Sequence, residues 1–142
     1  MNMEITMEAN PTGFEISKLK LFKDAGVNRL SLGIQSLDDH MLKLMNRDHS
    51  VKDALKAIDL ARSHFDNVSL DFIWGRPGQS LKGWEEELLQ VFKFGANHLS
   101  LYQLTVERGT ALFKQVKNKE IQPPSDDELA DMFELTRTVN IV

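Results

Sequence analysis

Cysteine does not occur anywhere in the 142 residues. Its absence rules out disulfides, thiolate-built zinc centres and cysteine-held iron–sulfur clusters within this chain, and it carries no information about compartment. No apolar run approaches the roughly 20 residues that a bilayer-spanning helix needs. Excess positive charge is missing too: 17 Lys and Arg against 21 Asp and Glu give a formal net charge of −4. No broad basic field is therefore present to recruit nucleic acid or acidic lipid. The start, Met1-Asn2-Met3-Glu4, has neither the apolar core of a signal peptide nor the Arg-rich pattern of a transit peptide. Histidines 40, 49, 64 and 98 lack metal-ligand spacing, so no metal site is expected and these side chains read as surface or structural. Nucleophile elbows, Walker loops and dinucleotide fingerprints are also missing.

What remains is an ordinary globular balance, 42% hydrophobic and 27% charged, with enough length for one domain and a core. The pattern alternates strand and helix. A first strand, Ile5 to Glu8, begins almost at the start of the chain, as expected of a piece of a longer protein. Glu15 to Ala25 reads as a helix stopped by Gly26. Arg29 to Gln35 is the second strand, and Ser36-Leu37-Asp38-Asp39 offers a cap to a short helix through Met45. A polar connector holds Arg47, Asp48 and His49. Next comes a helix over Val51 to His64, whose Ala54, Leu55, Ile58, Ala61 and Phe65 form an apolar stripe.

Val68 to Trp74 is the third strand, and Gly75-Arg76-Pro77-Gly78 the turn after it. Ser80 caps a helix from Leu81 to Phe94, where Glu85, Glu86 and Glu87 read as a solvated acidic face. His98 to Leu104 is the fourth strand. A short helix covers Thr110 to Lys117, and Pro123-Pro124 breaks the chain. Ser125 caps a last helix over 126–140, with Leu129, Met132, Phe133 and Thr136 facing one way. This alternation predicts an α/β fold with a parallel sheet, its core within 4–117.

Four of the strands carry a polar side chain toward a turn: Glu8, Gln35, Asp71 and Gln103. Each alone fits a solvated strand terminus. Together they point to one pocket, because a parallel β/α barrel binds ligand at the carboxyl ends of its strands. Arg47 could grip a ligand carboxylate bidentately, although alone it fits an exposed loop cation. Trp74 and Trp84 read as packing residues.

Glu8-Ala9-Asn10-Pro11, Gly26 to Ser36, Asp71 to Gln79 and Ser100 to Leu104, in this order, resemble the radical S-adenosylmethionine enzymes. Within them the resemblance is to the coproporphyrinogen III oxidase-like group and its haem chaperone-type HemW branch, and Tyr102 to Phe113 is especially like the mitochondrial members. The resemblance implies a partial (β/α) barrel of about six strands, of which about four, the third to sixth, are represented here. It also implies S-adenosylmethionine as cofactor: Glu8 near its methionine moiety, Gln35 and Asp71 on the ribose hydroxyls, Arg47 on the carboxylate and Gln103 at the adenine through its backbone. The family's [4Fe–4S] cluster has no ligands in this chain. Haem or a porphyrin precursor, and haem-receiving proteins, are the implied partners, and the implied location is mitochondrial, otherwise cytoplasmic.

Arg76 replaces the leucine usual in the turn, which is expected to disturb packing there. Since cofactors carry this radical chemistry, the chain alone is expected to be inactive and to hold no catalytic residue. A non-catalytic interaction module derived from the same barrel is the alternative.

Overall fold

The structure, a computed structural model, describes residues 3–141. Four strands, β1 (Thr6–Ala9), β2 (Arg29–Gln35), β3 (Val68–Trp74) and β4 (His98–Gln103), form one sheet in the order β1-β2-β3-β4. β1 pairs parallel with β2, and β2 with β3. The helices are α1 (Gly13–Ile16), α2 (Leu19–Asp24), α3 (Asp39–Leu44), α4 (Val51–His64), α5 (Leu81–Lys93), α6 (Ala111–Lys117) and α7 (Asp126–Ile141). The expected parallel α/β alternation is therefore present. The chain divides into two compact units, Met1–Phe72 with Phe94–Ser100, and Ile73–Lys93 with Leu101–Val142.

In the first unit, alternation along the strands sorts the two sheet faces. Leu30, Leu32, Ile34, Val68, Leu70 and Phe72 are all buried, which is the apolar face. Arg29, Ser31, Gly33 and Gln35 are only half-buried and share the other. Helix α4 starts with a capping box: Ser50 Oγ accepts from Asp53 N, and the Asp53 carboxylate accepts from Ser50 N. Its buried face is Ala54, Ala57, Ile58 and Ala61, with Phe65 just beyond. Leu55, expected in that stripe, is exposed, because its position turns it off the 3.6-residue face that Ala57 occupies instead.

The single helix expected over Glu15 to Ala25 is two. Thr12 starts α1 early by accepting from Glu15 N, and Ser17 caps its far end. The Glu15 carboxylate reaches back to Asn10 N, so this first turn is tied to the exit of β1. α2 then begins afresh from Lys18 and buries Leu19.

The second unit is centred on Trp74, Trp84, Leu88 and Met132, with Leu101, Leu129 and Leu135 packed around them. Trp84 is fully buried, and its indole N–H donates to Thr136 Oγ1 at 2.8 Å. The Thr136 hydroxyl in turn donates to Met132 O at 2.7 Å, so neither buried polar group is orphaned. α7 begins with a second reciprocal cap, between Ser125 and Glu128. Phe133, expected on the inward face, is exposed, although its ring still lies 6.4 Å from that of Trp74.

Two readings are corrected at the turn after β3. Glu87 is not part of a solvated face: its side chain is 10% exposed and paired with Arg76, itself 4% exposed. The arginine therefore does not simply disrupt an apolar turn. It enters the interior together with a carboxylate one helix turn beyond Trp84 on α5, and a charge is buried tolerably only when so matched.

Candidate functional site

Register decides what lies at the working end of the sheet. Ala9 is level with Leu32, and Leu32 with Leu70. One step on, Gly33 is level with Asp71, just where β1 has ended and Asn10 begins the turn. Asp71 is therefore not the tip of β3, which continues through Trp74. The stagger between strands nonetheless places it at the rim beside the exit of β1.

Gln35 ends β2 at an irregularity: Gly33 pairs with Asp71, but Gln35 pairs with Phe72. Its φ of 72° lies in the left-handed region, uncommon for a residue other than glycine and often found where function holds the backbone. The side chain turns back over Gly33. A Cβ at position 33 would lie 2.9 Å from Gln35 Nε2 and 3.6 Å from Asn10 Oδ1. An added Cβ would press on the end of the Gln35 side chain, so two carboxamides converge on the space this glycine leaves. Asn10 is held for this by its turn, through Thr12 N to Asn10 O at 2.8 Å and Asn10 N to Glu15 Oε1 at 3.2 Å.

Asp71 is half-buried. Burial pushes its carboxyl above the ordinary value of 3.8, the Ser100 hydroxyl bond pulls it back, and the Glu8 charge raises it again. His98 and Arg29 favour the anion. Arg29 crosses this face, donating to Ser69 Oγ at 2.5 Å and Thr6 Oγ1 at 3.4 Å. Glu8 is exposed on β1, level with Ser31, one step below the rim.

Arg47 lies exposed in the loop after α3. Asn46 takes a left-handed φ of 57°. Arg47 N donates to Leu42 O and Asn46 N to Lys43 O, the paired bonds of a Schellman helix stop. Two residues on, buried His49 sets its Nε2 against Ile34 O at 2.9 Å. That contact pins the Arg47 loop to the residue before Gln35. Glu8, Gln35, Asp71 and Arg47 therefore belong to one unit, with the first three on one sheet face. Gln103 belongs to the other unit, exposed at the end of β4, with its Cγ 3.6 Å from where a Gly75 Cβ would stand.

Asn10, Arg29 and Ser100 were not singled out from sequence. Asn10 carried a usable signal, a carboxamide opening the turn after Glu8. Ser100 and Arg29 carried none, because their roles depend on strand register.

This donor set suits a polyhydroxylated nucleoside: a half-buried carboxylate and two carboxamides around a glycine-cleared floor can accept from and donate to adjacent hydroxyls. It does not suit an iron–sulfur cluster, since the chain has no thiolate. Among the described residues no group of three or more His, Asp or Glu side chains could hold a metal ion.

Comparison with known proteins finds relatives of this chain. A family model described as the radical SAM superfamily matches residues 1–91. The chain is 47% identical over 137 residues to the mouse (Mus musculus) "Radical S-adenosyl methionine domain-containing protein 1, mitochondrial", covering 96% of this chain and 31% of that protein. It is 38% identical over 133 residues to "Heme chaperone HemW" of Bacillus subtilis, covering 93% of this chain and 35% of that protein. In fold it is similar to the Escherichia coli radical SAM enzyme coproporphyrinogen III oxidase (HemN), with a TM-score of 0.79, 24% identity, and coverage of 97% of this chain and 32% of that one. The chain thus spans about a third of the length of the relatives it matches.

Proposed function

The chain belongs to the radical SAM superfamily, and from that membership we propose that it forms the nucleoside-binding part of a HemW-type protein of haem or tetrapyrrole handling. The support for the haem side is the printed name of the Bacillus relative, and for a mitochondrial setting that of the mouse relative. Asp71 and Gln35 take the ribose hydroxyls of S-adenosylmethionine, Glu8 faces its methionine end and Arg47 its carboxylate. The observation that carries this reading is the clearing above Gly33, bounded by Gln35 and Asn10 and level with Asp71.

No residue of this chain could hold the [4Fe–4S] cluster that would supply an electron to such chemistry. This chain's own groups bind and orient. The Asp71 carboxylate accepts hydrogen bonds from hydroxyls, and the carboxamides that meet over Gly33 fix the sugar's direction. With no thiolate in the chain, cofactor chemistry is absent from it alone, and affinity for the cofactor is weak.

Titration of ¹⁵N-labelled chain with S-adenosylmethionine tests this. We expect weak amide shifts centred on Glu8, Gln35 and Asp71, lost in Asp71→Asn. They should also fade as pH falls through the Asp71 midpoint, raised above 3.8 by burial, since the protonated acid is a poorer acceptor for two hydroxyls. Shifts elsewhere, or none, would overturn the assignment. Anaerobic treatment with iron and sulfide should leave no stoichiometric cluster on the chain.

A further inference from the structure

We propose that His49 is a positioning residue: its ring N–H, given to the Ile34 carbonyl, holds the turn that lays the Gln35 carboxamide over Gly33, and the same contact fixes the Arg47 loop against that turn. The proposal rests on the reading of Gln35 and Arg47 as ligand-holding groups. It goes beyond that reading by saying what sets them before a ligand arrives.

The turn is an unusual one. Ser36 N donates to Ile34 O at 2.9 Å, spanning Gln35 alone, and Gln35 has a φ of 72°. A hydrogen bond closed two residues apart around a positive φ is the left-handed form of the γ-turn, rare because it is strained. It sits where the register between β2 and β3 breaks, with Gly33 level with Asp71 and Gln35 with Phe72, so Ile34 is the extra residue of a bulge. Such a conformation persists only where its surroundings over-determine it. Ile34 is fully buried, and its carbonyl meets a second partner, His49 Nε2, at 2.9 Å. A carbonyl oxygen has two lone pairs and no proton to give, so Nε2 carries the hydrogen.

The same contact closes the excursion of the chain through α3. Ser36 is fully buried, its hydroxyl accepts from Asp38 N at 3.0 Å, and Asp38 caps α3. The chain returns to Ile34 at His49, 15 residues on. Just beyond, Val51 N donates to Asp39 Oδ1 at 2.8 Å as Ser50 begins α4. The loop bearing Arg47 is therefore anchored on α3 before it and on α4 after it, with His49 as its tie to the sheet. Of the four histidines, His49 alone is buried: His40 and His98 are exposed and His64 is half-buried. An imidazole whose N–H is spent on a strained carbonyl does more than fill space, because its removal frees Gln35 and Arg47 together.

The test uses the ¹³C,¹⁵N-labelled chain at about pH 8, where an ordinary imidazole is neutral. In wild type the His49 ring should show its proton on Nε2, and the Gln35 Cα and Cβ shifts should mark a left-handed backbone. His49→Phe keeps a ring without the donor. The Gln35 carbon shifts should then move toward the extended range, the Arg47 amide should shift with them, and half-saturation should need about fivefold more S-adenosylmethionine. His49→Gln, whose amide carries an N–H to a similar reach, should restore all three. Gln35 shifts unchanged in His49→Phe, an affinity unchanged where wild type binds, or no return in His49→Gln overturns the proposal. So does a ring proton found on Nδ1 alone. Should His49→Phe fold poorly, His49→Asn, polar but too short, replaces it with the same expectations. The nucleoside reading fails separately: a wild type that takes up no S-adenosylmethionine, while Gln35 and Arg47 still move in His49→Phe, refutes the ligand assignment and leaves the His49 contact standing.

Discussion

The two units of this chain treat polar groups in opposite ways. In the first, one sheet face carries Glu8, Arg29, Gln35 and Asp71, all partly open to solvent. In the second, several polar groups of the interior are spent on one another: Trp84 on Thr136, Thr136 on Met132 O, Arg76 on Glu87. A hydrogen-bonding group satisfied inside the protein has nothing left to offer a ligand, whereas a half-buried one retains lone pairs. The open face of the first unit is therefore suited to binding, and the paired groups of the second to packing.

The largest expected effect lies in the packed unit. Trp84→Ala removes the largest fully buried side chain and should cost about 3–5 kcal/mol, as for other buried aromatics. Urea unfolding followed by circular dichroism reads this. A loss no larger than that of a surface substitution would break the contrast, since it would deny the second unit a single apolar centre.

Next comes the buried ion pair. Glu87→Leu leaves the Arg76 charge in the interior without the carboxylate it was buried against, at a cost of about 3–5 kcal/mol. The double change Arg76→Leu with Glu87→Leu should recover most of that or exceed the wild type, because two apolar side chains need no desolvation. Equal losses in the single and double variants would show that the pair does more than satisfy itself.

Smallest is a pH effect that sharpens the contrast inside the first unit. Asp53, at the start of α4, is lowered below 3.8 by its bonds to Ser50. Its contribution is present above that value and lost as pH falls through the lowered midpoint. Asp71 is raised, so its linkage runs the other way: stability is greatest below 3.8 and declines as pH rises through its midpoint. Ser50→Ala should therefore cost about 1 kcal/mol at neutral pH and less in acid. Asp71→Asn should gain stability at neutral pH and nothing in acid. Chemical denaturation at the two pH values separates them, and parallel behaviour of the two aspartates would refute the assignment.

Much of the fold was legible because its signals are local. Ser80 and Ser125 are caps read from the residues beside them, and strand alternation in Arg29 to Gln35 needs no distant partner. The misreadings at Leu55 and Phe133 came from stripes drawn slightly too wide. Glu87 was misread for a different reason: its partner Arg76 lies in another element, and a run of three acids looks solvated when taken alone.

From the sequence alone, the alternation of strands and helices was determined, as were the caps, the resemblance of its motifs and the impossibility of a thiolate-held cluster. Each follows from residue identity or from spacing within a few positions. Tertiary structure decided that Asp71, three residues short of the end of β3, stands at the rim beside Asn10 and Gly33. It also decided that Gln35 folds back over glycine and that His49 ties the Arg47 loop to β2. Those facts depend on hydrogen-bond register between strands far apart in the chain, and register is a property of the assembled sheet.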